Sequence, residues 1–203
     1  MGICKISIKA EGYVDCKSCF YSAQDIMESS GFDFCAGINK LIGEIDSGSW
    51  AVSYLLSMYK HRPSDFVLFD DPKVTVNGKT VSLNELSEYS CYMDRSDPLF
   101  STNYTVKELI WQGLANNKLT CSYTDVMDMF CLDNERVECS LSSVGNEIFR
   151  SMAAIGFSHK KEVYCFPWLS RKRFEYYHEN LSTLLRTLES MNMVVILPVG
   201  YKI

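Results

Sequence analysis

Polar and apolar positions alternate with period two in "KISIKA", Lys5 to Ala10, and again in "FDFCAG", Phe32 to Gly37, so both predict strands, the second ending on a turn glycine. "INKLIG" predicts a further short strand that delivers the chain into Gly43 to Leu56, "GEIDSGSWAVSYLL". Past Gly48 the period changes. Ala51, Tyr54, Leu55 and Met58 recur at i, i+3, i+4 and i+7, which predicts a helix from near Trp50 that ends before Pro63. "DFVLFDDPKVTVNGKTVSL" holds two strand-like runs. Asn77-Gly78 between "KVTV" and "KTVSL" predicts a two-residue hairpin, and therefore antiparallel sheet.

The second half is mostly helical. "TVKELIWQGLA" opens on a capping-box pattern, Thr105 with Glu108 three residues later. "TDVMDMF", from Thr124, predicts a short helix with Val126, Met129 and Phe130 on one face, and Val144, Ile148, Met152 and Ile155 form another helical stripe. "EVYCFPWL" predicts a buried strand; Leu181, Leu184, Leu185, Leu188 and Met191 predict a long amphipathic helix, and "MVVILPV" a closing buried strand. A β-rich start, a glycine loop, a helical block over about residues 105–156 and a final strand, helix and strand add up to an α/β fold. Its central strands are expected to be parallel, with a helical insertion.

Composition narrows the function classes. At 203 residues the chain favours one domain with room for an inserted subdomain, and 47% hydrophobic with 22% charged residues is ordinary for a globular protein. The net charge of -5 and scattered Lys and Arg argue against a nucleic-acid groove, which needs a sustained basic face. The densest basic run, "SRKRF" from Ser170, reads as a solvated helix start. No apolar run reaches the roughly 18 to 20 residues needed to cross a bilayer, and the amino terminus has no signal-peptide core, so a cytoplasmic location is expected. Any membrane association is expected to be peripheral, at the cytoplasmic face and through a partner. Nine cysteines without a secretion signal read as reduced thiols. Cys16 and Cys19 have C-x-x-C spacing. A zinc site needs a second such pair or two suitably spaced histidines, and His61, His159 and His178 stand isolated, so the pair reads as turn cysteines.

Gly43 and Gly48 have the G-x-x-x-x-G spacing of a phosphate-binding loop, placed between a predicted strand and a predicted helix. In such a loop the backbone N–H groups cradle phosphates, the next residue is a Lys that supplies charge, and the one after it is a Ser or Thr that holds Mg²⁺. Here Ser49 and Trp50 occupy those two places.

The order of these landmarks resembles the nucleotide-binding domain of ABC transporters, the ATP-binding cassette, over roughly residues 30–200. "FDFCAGINKLIGEIDSGSWAVSYLL" resembles the family's strand, phosphate loop and first helix, and "VTVNGKTVSLNELSEYSCYMDRSDPLFSTNYTVKELI" its hairpin, Q-loop region and following helix. "CLDNERVECSLSSVGNEIFRSMAAIG" resembles the L-S-G-G-Q signature and its helix; "EVYCFPWLS" falls where the Walker B strand would, and "MNMVVILPVG" where the strand before the switch histidine would. The resemblance implies a P-loop NTPase-like ABC ATPase fold with an antiparallel β subdomain and a helical subdomain. The whole of residues 1–203 would then be one such domain.

The same resemblance implies that the chemistry is gone. Ser47, Gly48, Ser49 and Trp50 keep the loop's glycine but neither its Lys nor its metal ligand. A charge-assisted hydrogen bond contributes on the order of 1.5 to 3 kcal/mol, so loss of the Lys alone weakens phosphate binding by tens-fold, and the bulk of Trp50 is expected in the phosphate space. Asp94 or Arg95, depending on register, falls near the Q-loop glutamine. Phe166, Pro167 and Trp168 fall where the Walker B Asp and catalytic Glu would be, and no His lies near Pro198 to Gly200. In the signature-like segment, Leu141, Ser142, Ser143, Val144 and Gly145, two glycines are replaced by Ser143 and Val144, and the β-branched Val is expected to obstruct close approach of a partner's nucleotide. The expectation is a pseudo-ATPase with no cofactor, weak ATP binding without hydrolysis being left open. It would act as a scaffold or regulatory subunit beside an ABC permease, another ABC-type ATPase subunit or a second copy of itself. The alternative is a sensing module that reuses the nucleotide cleft, lined by Trp50 and nearby aromatics, for a nucleotide or other small molecule.

Overall fold

A computed structural model describes residues 2–9, 12–15, 25–27, 31–44, 48–64, 66–68 and 72–200. The Cys16–Cys19 pair and Ser47 lie outside the described residues. In chain order the strands and helices begin with β1 (Lys5–Lys9), β2 (Gly12–Asp15), β3 (Asp25–Met27), β4 (Phe32–Cys35), β5 (Gly37–Ile42), α1 (Ser49–Met58), β6 (Val67–Leu68), β7 (Lys73–Val76) and β8 (Lys79–Val81). They continue with α2 (Leu83–Tyr89), β9 (Ser90–Tyr92), α3 (Val106–Asn117), α4 (Tyr123–Met129), α5 (Ile148–Ser158), β10 (Val163–Cys165), α6 (Arg171–Ser190) and β11 (Val194–Val199).

Two four-stranded sheets carry the fold. The first is antiparallel, in the order β4-β1-β7-β8. Its β7–β8 hairpin turns at Asn77 and Gly78 with φ of 50° and 78°, the doubly positive backbone that makes Asn-Gly the favoured pair. The second is parallel, in the order β5-β11-β10-β9, so β11 separates the strand of the glycine loop from β10. A shorter sheet pairs β3, β2 and β6. The mixed α/β class expected from the hydrophobic pattern is therefore the one observed.

The parallel sheet is covered on both faces, which explains its unbroken apolar runs: β10 and β11 are buried at every position. Val163, Cys165, Val194 and Ile196 join one core cluster with α1 and the antiparallel sheet, contributed by Ile6, Ile8, Phe34 and Val74. Tyr164, Val195 and Leu197, on the opposite face, join a second cluster with α3, α4, α5 and α6. Because α1 lies between two sheets, all ten of its residues are buried, serines included. It is a helix buried all round rather than the one-sided helix its stripe suggests.

Several elements differ from the sequence expectation. α2 and β9 were not anticipated. Ser82 ends the strand that "KTVSL" implied and caps α2 in a capping box with Glu85. The stripe from Val144 is not one helix: Gly145–Glu147 is a 3-10 turn and α5 begins at Ile148. α4 starts one residue earlier than expected, on a capping box of Ser122 and Asp125.

Candidate functional site

The carboxyl ends of β5, β9, β10 and β11 all open on the same edge of the parallel sheet, and each leads into a segment singled out in the sequence. Such an edge is where open α/β sheets bind ligands. Gly43 follows β5 and is tied in by both of its backbone groups: its N–H donates to the Val199 carbonyl at 3.0 Å, and its carbonyl accepts the Trp168 indole N–H at 3.0 Å. Gly48 caps α1 with φ 81°, a conformation natural for glycine, and no side-chain cap is present there.

Trp50 turns into the core. It is 2% exposed, its indole N–H donates to the Tyr92 hydroxyl at 3.1 Å, and its ring lies 5.3 Å from that of Tyr54, which in turn meets Tyr92 edge-on at 5.3 Å. One turn further along α1, the Ser53 hydroxyl donates to the Phe166 carbonyl at 2.6 Å. Loop, first helix and the segment after β10 are thus joined by protein-to-protein hydrogen bonds. Trp50 is therefore turned into the core, and it is not among the residues that line the cavities formed by the described residues. Phe166 and Pro167 are buried, and Trp168 is half-buried.

Asp97, which sequence reasoning passed over, organises the segment after β9. β9 is an edge strand, and Asp97 Oδ2 accepts the Tyr92 N–H at 2.7 Å while Oδ1 accepts the Leu99 N–H at 2.9 Å. The carboxylate therefore covers part of the sheet's free edge. Burial pushes its pKa above the ordinary carboxylate range, and the two backbone N–H groups pull the other way. The Ser-Asp-Pro turn signal of "SDPLF", Ser96 to Pro98, is the signal that could have found it. Nearby, burial pushes the Cys165 thiol up to about 12, which keeps it protonated and unreactive. Among the described residues no cluster of three or more His, Cys, Asp or Glu could hold a metal.

The signature-like segment belongs to the other core cluster. Ser140 to Ser143 form a turn, with the Ser143 N–H donating to the Ser140 carbonyl and the Ser140 and Ser142 hydroxyls 2.7 Å apart. Ser142 and Ser143 are exposed and Leu141 is buried. Val144 corrects the expectation of an obstructing side chain: it is completely buried, turned into the core rather than outward. Gly145 holds φ 64°, so a positive-φ glycine survives one residue beyond the expected pair. Asp94, Arg95, Leu141, Ser142, Gly145 and Pro167 line one cavity of about 280 Å³, which brings the Q-loop-like, signature-like and post-β10 segments together.

With this geometry in view, two solved structures align over nearly the whole chain. A Pyrococcus furiosus protein assigned as an ABC transporter ATP-binding protein matches with a TM-score of 0.64 and 14% identity, covering 98% of this chain and 92% of that one. The chain has the fold of ABC ATP-binding proteins. A bacterial Atm1-family ABC exporter with ATP bound matches with a TM-score of 0.56 and 10% identity over 99% of this chain, which spans 35% of the exporter chain. At these identities the likeness is one of fold. No protein-family model matches the chain, and no curated protein sequence does. No helix among the described residues is long and apolar enough to cross a membrane.

Proposed function

We propose that this protein is a non-hydrolysing, ABC-like subunit that serves a transporter as a scaffold or regulator, with residues 1–203 acting as one degenerate nucleotide-binding domain and the helices of about residues 105–156 as its helical subdomain. The observation that carries this reading is the pair of tryptophans at the catalytic edge. Trp50 stands where the phosphate loop needs its Mg²⁺ ligand and bonds to Tyr92, and Trp168 stands where acidic residues are needed and bonds to Gly43. Trp50 ties α1 to the end of β9, and Trp168 ties the segment after β10 to the end of β5. An indole offers no oxygen to a metal and cannot accept a proton from an attacking water. Ser49, in the Lys position, adds no charge to offset phosphate.

The fold supplies the rest of the reading. Kept in full while its chemistry is replaced, it is suited to presenting surfaces to an ABC permease, a second ABC-type ATPase subunit or a second copy of this chain, at the cytoplasmic face of a membrane. The test is affinity capture of the tagged chain from its native cells, with crosslinking before lysis. The expected result is stoichiometric recovery of a permease or a cassette subunit. Recovery of the chain alone, as a monomer, would sink the proposal.

A further inference from the structure

The cavity of about 280 Å³ between the segment after β9, the 141–145 turn and the first turns of α5 and α6 has a chemistry that the scaffold reading does not use. Beneath a mostly polar surface its floor is built of apolar and aromatic side chains. Phe149 packs between Phe166, at 5.4 Å, and Tyr177, which meets it edge-on at 5.0 Å, and Met152 is buried beside them. Its rim is cationic. Arg95, from the segment after β9, and Arg173, from the first turn of α6, both line it. Arg136, from a third segment, does not line the cavity but stands beside its Gly145 wall, with Nη1 3.8 Å from where a Cβ on Gly145 would stand.

All three arginines are exposed, and among the described residues none of them forms an ion pair. Asp94 is the acidic residue lining the cavity, and its Oδ1 is engaged by the Ser96 N–H at 2.9 Å. Guanidinium forks match phosphate and carboxylate oxygens in pairs, and an aromatic floor matches a flat apolar body. We infer that this cavity binds a small organic anion: an apolar ring carrying a phosphate or carboxylate head, held by Arg95 and Arg173, with Arg136 adding positive charge beside them. Small-molecule pockets run from about 300 Å³ upward, so the size suits a single-ring compound rather than a nucleoside triphosphate.

Calorimetry on the full chain at low ionic strength tests this with phenyl phosphate, benzoate and inorganic phosphate. The expected result is saturable, equimolar binding of phenyl phosphate or benzoate, the tighter of the two identifying the head group. Inorganic phosphate, lacking the ring, is expected to bind about tenfold more weakly. Arg173→Ala should weaken binding about tenfold, the Arg95→Ala, Arg173→Ala double variant should abolish it, and Lys172→Ala, one residue away and off the cavity, should leave it unchanged. These are surface positions, so melting curves are expected to stay as in the parent. The inference is overturned if neither ring compound binds at millimolar concentration, if inorganic phosphate binds as tightly as they do, or if Lys172→Ala weakens binding as much as Arg173→Ala.

Discussion

Trp50 carries the account at the scale of single residues. A Trp at the end of a glycine loop reads, from sequence, as an obstacle standing in the phosphate space. Its burial at 2% and its bond to Tyr92 make it instead part of the core that holds α1 against the sheet. Introducing Lys and Thr at these two positions, Ser49→Lys and Trp50→Thr, should therefore cost stability. Emptying a buried Trp position costs about 3 to 5 kcal/mol, a large part of the roughly 5 to 15 kcal/mol that holds a domain together. A denaturant titration should show the midpoint falling accordingly, and an unchanged midpoint would mean that the indole packs on nothing that matters. The spacing of residues 43 to 50 was legible in the sequence; the direction of the side chain was not. Trp50 meets Tyr92 across 42 residues of chain, a separation that no local pattern encodes. Val144 teaches the same lesson, because whether a β-branched residue in a turn faces a partner or the core depends on the helices packed behind it.

At the scale of elements, local signals were legible wherever the causes were local. The Asn77-Gly78 hairpin and the Thr105–Glu108 capping box form as the residue types dictate. β9 was missed because three residues hold no period, and they form a strand only through pairing with β10. The α3–α5 crossing depends on a feature no periodicity reveals, the close approach at Gly113. A Cβ there would lie 2.4 Å from Ser158 Oγ, 2.6 Å from His159 Cδ2 and 2.8 Å from the Ser158 carbonyl carbon. The same contact is stitched by Asn117 Nδ2, which donates to the Gly113 and Ser158 carbonyls at 2.9 and 3.1 Å, and by His159 Nε2 at 3.1 Å from the Leu109 carbonyl. In an exposed helix Gly→Ala gains about 1 kcal/mol; in this one the backbone of α5 must move, at a cost of about 1 to 3 kcal/mol. Gly113→Ala should therefore lower the melting temperature, and a rise would show that the helices do not cross where this structure has them.

Taken whole, the molecule has the layered α/β architecture of ABC ATP-binding proteins, and at the edge of its parallel sheet Trp50 bonds to Tyr92 and Trp168 to Gly43. The order of strands, loop and helices was legible because buried parallel strands and amphipathic helices write long patterns. The bonds across the edge were not, since they join side chains of α1, of β9 and of the segment after β10 to one another and to the backbone of Gly43 and Phe166. The fold is that of ABC ATP-binding proteins, while Ser49, Trp50 and Trp168 stand at positions where the proposed function reads the groups for hydrolysis as replaced. That divergence is what the reading as a non-hydrolysing subunit explains. Phosphate release from the purified chain, with ATP and Mg²⁺ in excess, tests it most directly. The account predicts release no faster than in buffer alone. Magnesium-dependent release that disappears when Gly48 is replaced would contradict it.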